Sequence, residues 1–292
     1  MSAKAVREHK GKKLLARHVQ EISNGKHIVD DRSILVTPET DLDSLPDADG
    51  NSWLTQEDQL LVVKPDQLIK RRGKAGLVGI KLTYNQVKEW IKERMETDIT
   101  VDGVQGRLHT FVIDPFVAHS QSDEYYICIQ SDREGEEVLF YSEGGVDVGD
   151  VDAKAKRHHV GIDHELTPEN IYQHRLLDGV PKGRIETLAS FVATLFKVYR
   201  KLNFTYMEIN PIVFSTDGTI VPLDLAAKID ETAAFLNASD WGPGPLDLPP
   251  AFGRQEFPEE VHIRELDSKT GASLKLTVLN SSGRIWTMVR MI

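Results

Sequence analysis

GRIETLASFVATLFKVYRKLNFTYMEINPIVFSTDGTIVPLDLAAK, residues 183–228, decides the fold class. Its first half sets Ile185, Leu188, Ala189, Val192, Leu195, Phe196, Tyr199 and Leu202 at the i, i+3, i+4, i+7 spacing of one apolar stripe, which predicts a long core-facing helix over 183–202. Then the period changes. Tyr206–Phe214 and Thr219–Leu225 are apolar runs on either side of Thr216-Asp217-Gly218, a turn sequence, and read as a β-hairpin. Counting outward from that turn sets Asn210 opposite Asp224 on one sheet face. Pro222 has no N–H to give to a ladder, so its strand is an edge or carries a bulge, which leaves the register open by one residue.

The same grammar recurs on both sides. Tyr125–Gln130 and Glu137–Tyr141 flank Asp132-Arg133-Glu134-Gly135, and Ser273–Asn280 and Ile285–Val289 flank Ser281-Ser282-Gly283, giving two further hairpins. Upstream, Leu60–Lys64 is a short apolar strand that ends on a lysine. It is followed by the basic stretch Lys70–Gly76, a strand over Leu77–Leu82, a helix over 84–96 and a strand over His109–Val117. Residues 30–58 read as loop, and Pro243, Pro245, Pro249, Pro250 and Pro258 mark an ordered linker. Antiparallel hairpins mixed with long helices argue for α+β layers. No G-x-G-x-x-G follows a strand and no G-x-x-x-x-G-K-[ST] occurs, so the two commonest nucleotide fingerprints are absent.

Composition narrows the classes. The 292 residues carry 35 Lys+Arg against 45 Asp+Glu, a net charge of -10, which argues against a general nucleic-acid binder. Length allows roughly two domains of ordinary size. A single cysteine, Cys128, excludes an intramolecular disulfide framework and sits in an apolar run, where it reads as core. No apolar run approaches the ~20 residues a membrane span needs. The basic start (Lys4, Arg7, Lys10, Lys12, Lys13, Arg17) reads as a mature surface helix burying Leu14, Leu15 and Val19 rather than a presequence, and the cytosol is the default compartment.

Three constellations could carry chemistry. Lys64 with the Arg72-Gly73-Lys74 loop offers point charges and approachable backbone N–H groups to a polyphosphate; a solvated basic turn is the other reading. Glu208-Ile209-Asn210-Pro211 with Leu223-Asp224-Leu225-Ala226-Ala227-Lys228 places an amide oxygen beside a carboxylate, which suits Mg2+ or equally a cross-strand Asn–Asp hydrogen bond. Glu143–Asp152 is acidic but does not match the EF-hand spacing, so it reads as a Gly-Gly turn running into a helix N-terminus. The ten histidines form no metal-ligand spacing, and His158 and His159 read as surface residues.

At these residues the chain resembles a known family. Leu61 through Lys74, Glu143 through Lys154, Glu208–Pro211, Leu223–Lys228, Lys275-Leu276-Thr277 through Val289 and the opening Met1-Ser2-Ala3-Lys4-Ala5 are similar to the ATP-grasp module of ATP-citrate lyase over nearly the whole chain. Shorter pieces also resemble the β subunit of succinyl-CoA synthetase. The resemblance implies an ATP-grasp fold of two α+β subdomains, a larger one over 1–17 and 118–250 and a smaller one over 18–117. Residues 251–292 would form a linker and the start of a citrate-binding domain.

It further implies ATP and Mg2+ as cofactors. Lys64, Arg72 and Gly73 would hold phosphates, Pro115 and Val117 would meet adenine through backbone groups, and Glu124 would hold the ribose. Asn210 and Asp224 would coordinate Mg2+. The loop Asp267–Ala272 resembles a second cation-binding loop, with Asp267, Thr270 and Ala272 as its positions; Thr270 stands where a Ser is more usual, and Asp114 where a Glu is. The family makes acetyl-CoA and oxaloacetate from ATP, citrate and CoA, through a phosphohistidine whose Gly-His-Ala-Gly motif does not occur here. The chain is therefore expected to be a truncated front end without full activity alone. A subunit acting in trans, with a lyase chain or as a succinyl-CoA synthetase β-like acid–CoA ligase, and an interaction or dominant-negative module that binds the full-length enzyme, are the alternatives. Trimming after about residue 255 is expected to improve solubility.

Overall fold

The computed structural model describes residues 3–145, 149, 151–242, 246–254, 257–270 and 274–288. In chain order its elements are β1 (Ala3–Val6), α1 (Glu8–Ile22), β2 (Ile34–Val36), β3 (Leu61–Pro65), β4 (Gly79–Leu82), α2 (Tyr84–Arg94), β5 (Asp98–Val101), β6 (Val104–Arg107), β7 (Phe111–Pro115), β8 (Glu124–Ser131), β9 (Gly135–Tyr141), α3 (Val151–Lys154), β10 (Lys156–Gly161), α4 (Pro168–Gln173), α5 (Lys182–Lys201), β11 (Phe204–Phe214), β12 (Ile220–Pro222), β13 (Leu225–Asp230) and α6 (Pro258–Thr270). They divide into two units, Met1–Phe252 and Gly253–Ile292.

Among the described residues, the first unit holds a seven-stranded sheet ordered β1-β13-β11-β8-β9-β10, with β12 joined to β11 off that path. Successive side chains on a strand point to opposite faces. On β8, Tyr125, Ile127 and Ile129 therefore enter the main core, while Tyr126 and Cys128 pack on the other face with Leu139, Val151 and Ala155. The long apolar stripe forms α5, and α1 joins it in the main core through Leu14, Leu15 and Val19. As a surface helix α1 would expose its charges, but Glu8 and Lys12 are each only 4% exposed.

The hairpin register is the expected one: Ile209 pairs Leu225, Ile212 pairs Pro222, and the Asn210 N–H donates to the Asp224 carbonyl at 3.1 Å. A four-stranded sheet ordered β2-β7-β3-β4 carries α2 and its own core of Val36, Leu61, Val63, Val87, Ile91, Phe111 and Ile113. A Thr83–Gln86 capping box starts α2, and Met95 ends it.

The second unit corrects two expectations. Asp267 and Thr270 lie on helix α6 rather than in a loop, and Ala272 lies outside the described residues. Residues 274–288 form no strand; of the expected hairpin only its turn is present, with the Gly283 N–H donating to the Asn280 carbonyl at 3.0 Å. A turn is closed by local bonds, but a two-stranded ribbon needs an apolar layer to bury its face. Here Leu279, Ile285, Trp286 and Met288 are 94%, 92%, 81% and 96% exposed. Such an exposed apolar run favours association. Ending the chain after Phe252 is expected to raise the concentration at which it stays monodisperse by light scattering; an unchanged or lower limit refutes this.

Candidate functional site

Three cations converge on one buried carboxylate. Lys64, near the end of apolar β3, puts Nζ 2.6 Å from Glu8 Oε1 and donates to the Leu223 carbonyl at 2.7 Å. Arg72, from the turn after β3, donates Nη1 to the Pro65 carbonyl at 2.8 Å and Nη2 to Glu8 Oε2 at 2.6 Å, and also bonds Asp224 Oδ1. Lys12, one helical turn on from Glu8, pairs with it and with Asp114 at 2.8 Å each. Burial alone would push the Glu8 carboxyl up, but Lys12, Lys64 and Arg72 outweigh it and hold it well below the usual carboxylate range. Burial would likewise lower Lys12 and Arg72, but Asp114 and Glu8 raise the first and Glu8 and Asp224 raise the second. All three groups stay charged. Lys64 and Arg72 are thus brought to Asp224, whose side chain is 49% exposed, and Gly73 follows Arg72 in an exposed turn.

The network is anchored by Asp66, which accepts the Glu8 N–H at 2.8 Å and the His9 N–H at 3.0 Å. It caps α1 from outside the helix, where Arg7 at the N-cap position makes no side-chain cap. Burial, then the nearby Glu8 charge, push the Asp66 carboxyl up to about 6 despite those two donors. An acid raised on folding contributes stability below its unfolded pKa and loses it as pH rises through the folded value. Between pH 4 and pH 7 the wild type should therefore lose about 2 kcal/mol relative to Asp66→Asn. Denaturant titrations of both proteins across that range check the slope; parallel curves would exclude it.

The remaining expected residues gather along the β7–β8 connection. Pro115 ends β7 opposite Leu61, and the Phe116 N–H donates to the Leu60 carbonyl at 2.8 Å. The Val117 carbonyl lies 2.7 Å from His119 Nδ1, and His119 Nε2 lies 2.9 Å from Glu124 Oε1, at the start of β8. The other Glu124 oxygen occupies the place a side chain would need at Gly145: a Cβ there would lie 2.3 Å from Oε2, on a backbone with φ +95°. The Gly145 N–H donates to Asn210 Oδ1 at 2.8 Å. The side chains of Asn210 and Asp224 thus turn to Gly145 and Arg72, not to each other, so the cross-strand side-chain pair is not what their register serves.

A continuous series of contacts runs from Val117 through Glu124, Gly145 and Asn210 to Asp224, Arg72 and Lys64. In the second unit, Asp267 accepts the Leu274 N–H at 2.6 Å. Among the described residues no three His, Cys, Asp or Glu side chains form a metal-holding group, and residues 146–148 and 150 of the acidic stretch lie outside them. His158 stacks on His174 at 4.0 Å, away from these contacts. Sequence reasoning missed Glu8, Lys12, Asp66 and His119. The Glu8–Lys12 spacing of four on a helix was the available signal, hidden because Glu8 reads as the lone acid of a basic start.

Residues 2–241 match the family ATP-citrate synthase ATP-grasp domain, and residues 254–290 match ATP citrate lyase citrate-binding. The chain is 52% identical over 289 residues to ATP-citrate synthase of Homo sapiens, covering 99% of this chain and 25% of that protein. It is 43% identical over 258 residues to probable ATP-citrate synthase subunit 2 of Schizosaccharomyces pombe, covering 78% of this chain and 52% of that protein. Among solved structures it resembles ATP citrate lyase from Methanothrix soehngenii in complex with citrate and coenzyme A, with TM-score 0.82, 38% identity, and coverage of 98% of this chain and 65% of that one. The chain thus spans about a quarter of the human relative and about half of the yeast one.

Proposed function

The chain belongs to the family of the ATP-citrate synthase ATP-grasp domain, and from that premise we propose that its Met1–Phe252 unit binds MgATP and donates the phosphoryl group in ATP-citrate lyase. The whole enzyme's reaction, ATP, citrate and CoA to acetyl-CoA, oxaloacetate, ADP and phosphate, is the setting, and it feeds lipid synthesis. Citrate and CoA chemistry is assigned to parts of the enzyme outside this unit, on the same or a partner chain, in the cytosol. No described helix is long and apolar enough to cross a membrane.

The convergence of Lys64 and Arg72 on Asp224, beside Asn210, carries this reading. Two fixed cations and the exposed turn at Gly73 would hold phosphate oxygens; transfer of a phosphoryl group depends mostly on such positioning and charge. The backbone at Pro115 and Val117 would meet adenine, and Glu124 the ribose. The donor set fits Mg2+: one half-exposed carboxylate and one carboxamide oxygen, both hard, leave the remaining positions for water and phosphate. Bound by Asn210 and Asp224, the ion would neutralise charge on the phosphates. Asp267, Thr270 and Ala272 are proposed as a separate cation position of the second unit.

Thermal melting with and without MgATP tests the proposal. A ligand at a hundred times its Kd stabilises by about 2.7 kcal/mol, which is about 5 °C or more for a unit of this size. No shift at millimolar MgATP would refute it.

A further inference from the structure

In the series of contacts from Val117 to Lys64, His119 joins the backbone to Glu124 without itself belonging to the proposed nucleotide contacts. Its ring spans the β7–β8 connection. Nδ1 faces the Val117 carbonyl at 2.7 Å and Nε2 faces Glu124 Oε1 at 2.9 Å. The His119 and Glu124 side chains are only 16% and 17% exposed, so the bridge is sheltered from competing water. A carbonyl oxygen can only accept, so Nδ1 carries a hydrogen. A carboxylate can only accept as well, so a proton also lies between Nε2 and Glu124. The ring is therefore held at both ends by hydrogen bonds of normal length. Glu124 has little other freedom, because its second oxygen packs where Gly145 lacks a side chain.

We propose that His119 is a positioning residue that fixes the Glu124 carboxylate toward the nucleotide ribose and ties it to the backbone at Val117, thereby setting discrimination for ribose hydroxyls. The proposal rests on the assignment of Glu124 to the ribose. Glu124 keeps one lone-pair-rich edge for the sugar while the imidazole removes the rotamer freedom that binding would otherwise have to freeze. A carboxylate accepting from a hydroxyl discriminates strongly against a sugar lacking it, since the buried acceptor is then left unsatisfied. The link to Val117 makes the ribose and adenine contacts one rigid piece.

The two ring nitrogens can be separated by substitution. Gln places an N–H near the position of Nε2, and Asn near that of Nδ1. The affinities of the 292-residue chain for MgATP and for Mg·2′,3′-dideoxy-ATP are measured by calorimetry, with melting of the nucleotide-free proteins as the check on folding. Wild type is expected to prefer ATP about tenfold. His119→Gln should keep most of that preference, whereas His119→Asn and His119→Ala should bring the ratio close to one, as should Glu124→Gln. A wild-type ratio in His119→Ala, with the ratio lost in Glu124→Gln, overturns the role of His119 and leaves the ribose assignment standing. Equal loss in the Gln and Asn variants overturns it too, because a merely structural ring would not separate them. Absent MgATP binding, or no preference, in the wild type overturns the ribose assignment itself and this proposal with it.

Discussion

Glu8→Gln lowers the stability of the chain by about 3–5 kcal/mol, the expected cost of removing one partner from a buried ion network. The substitution keeps the volume and removes only the charge. Lys12, Lys64 and Arg72 then share a site in which Glu8 was their common acceptor, leaving Asp114 to the first and the half-exposed Asp224 to the other two. The magnitude follows from burial: Glu8 is 4% exposed, so water cannot replace the lost carboxylate. An exposed control, Glu93→Gln, removes an ordinary surface pair with Arg94 and should stay within about 0.5 kcal/mol.

The pH dependence of Glu8 has a sign opposite to that of Asp66. Because Glu8 is depressed on folding, its contribution is present above the ordinary carboxylate pKa and is lost as pH falls through the folded value. Denaturant titrations on the acid side of that point should show wild type and Glu8→Gln converging. A gap at neutral pH below about 1 kcal/mol would overturn the account of the network.

Lys64→Ala removes about half or more of the stabilisation by MgATP. A hydrogen bond to a charged group contributes about 1.5–3 kcal/mol, so losing the lysine weakens binding by about ten- to a hundredfold. The nucleotide-free protein should suffer less than it does in Glu8→Gln, since Glu8 keeps Lys12 and Arg72. That contrast would separate the two roles: Glu8 holding the cations in place, and the proposed use of the Lys64 charge on the ligand. Melting curves with and without millimolar MgATP for both variants decide the matter. A full wild-type shift in Lys64→Ala would remove the lysine from the phosphate site.

Much of the candidate site's geometry was legible because it rests on short-range rules. Lys64 ends an apolar run and Arg72 lies in a turn a few residues on, so both follow from local patterning. Asn210 and Asp224 flank a tight turn, and a hairpin with a short loop carries its register with it. His119 was not legible, because nothing in its neighbourhood reveals that its ring reaches forward to Glu124 and back to Val117 at once. The expected hairpin near the chain's end shows the converse: Ser281-Ser282-Gly283 makes its turn, but strand formation needs a packed layer that local residues do not supply.

By itself the sequence determined the α+β class, the long helix α5, the pairing of β11 with its return strands, and the family, because periodicity, turn chemistry and long specific motifs act along the chain. Only the tertiary structure decided that α1 is a core helix whose Glu8 gathers three cations, that Asp66 caps it from another segment, and that one series of contacts joins Val117 to Lys64. Those facts depend on residues such as Glu8 and Arg72, 64 positions apart, meeting in a buried place. There desolvation makes each charge select its partner, and no local pattern encodes such a meeting.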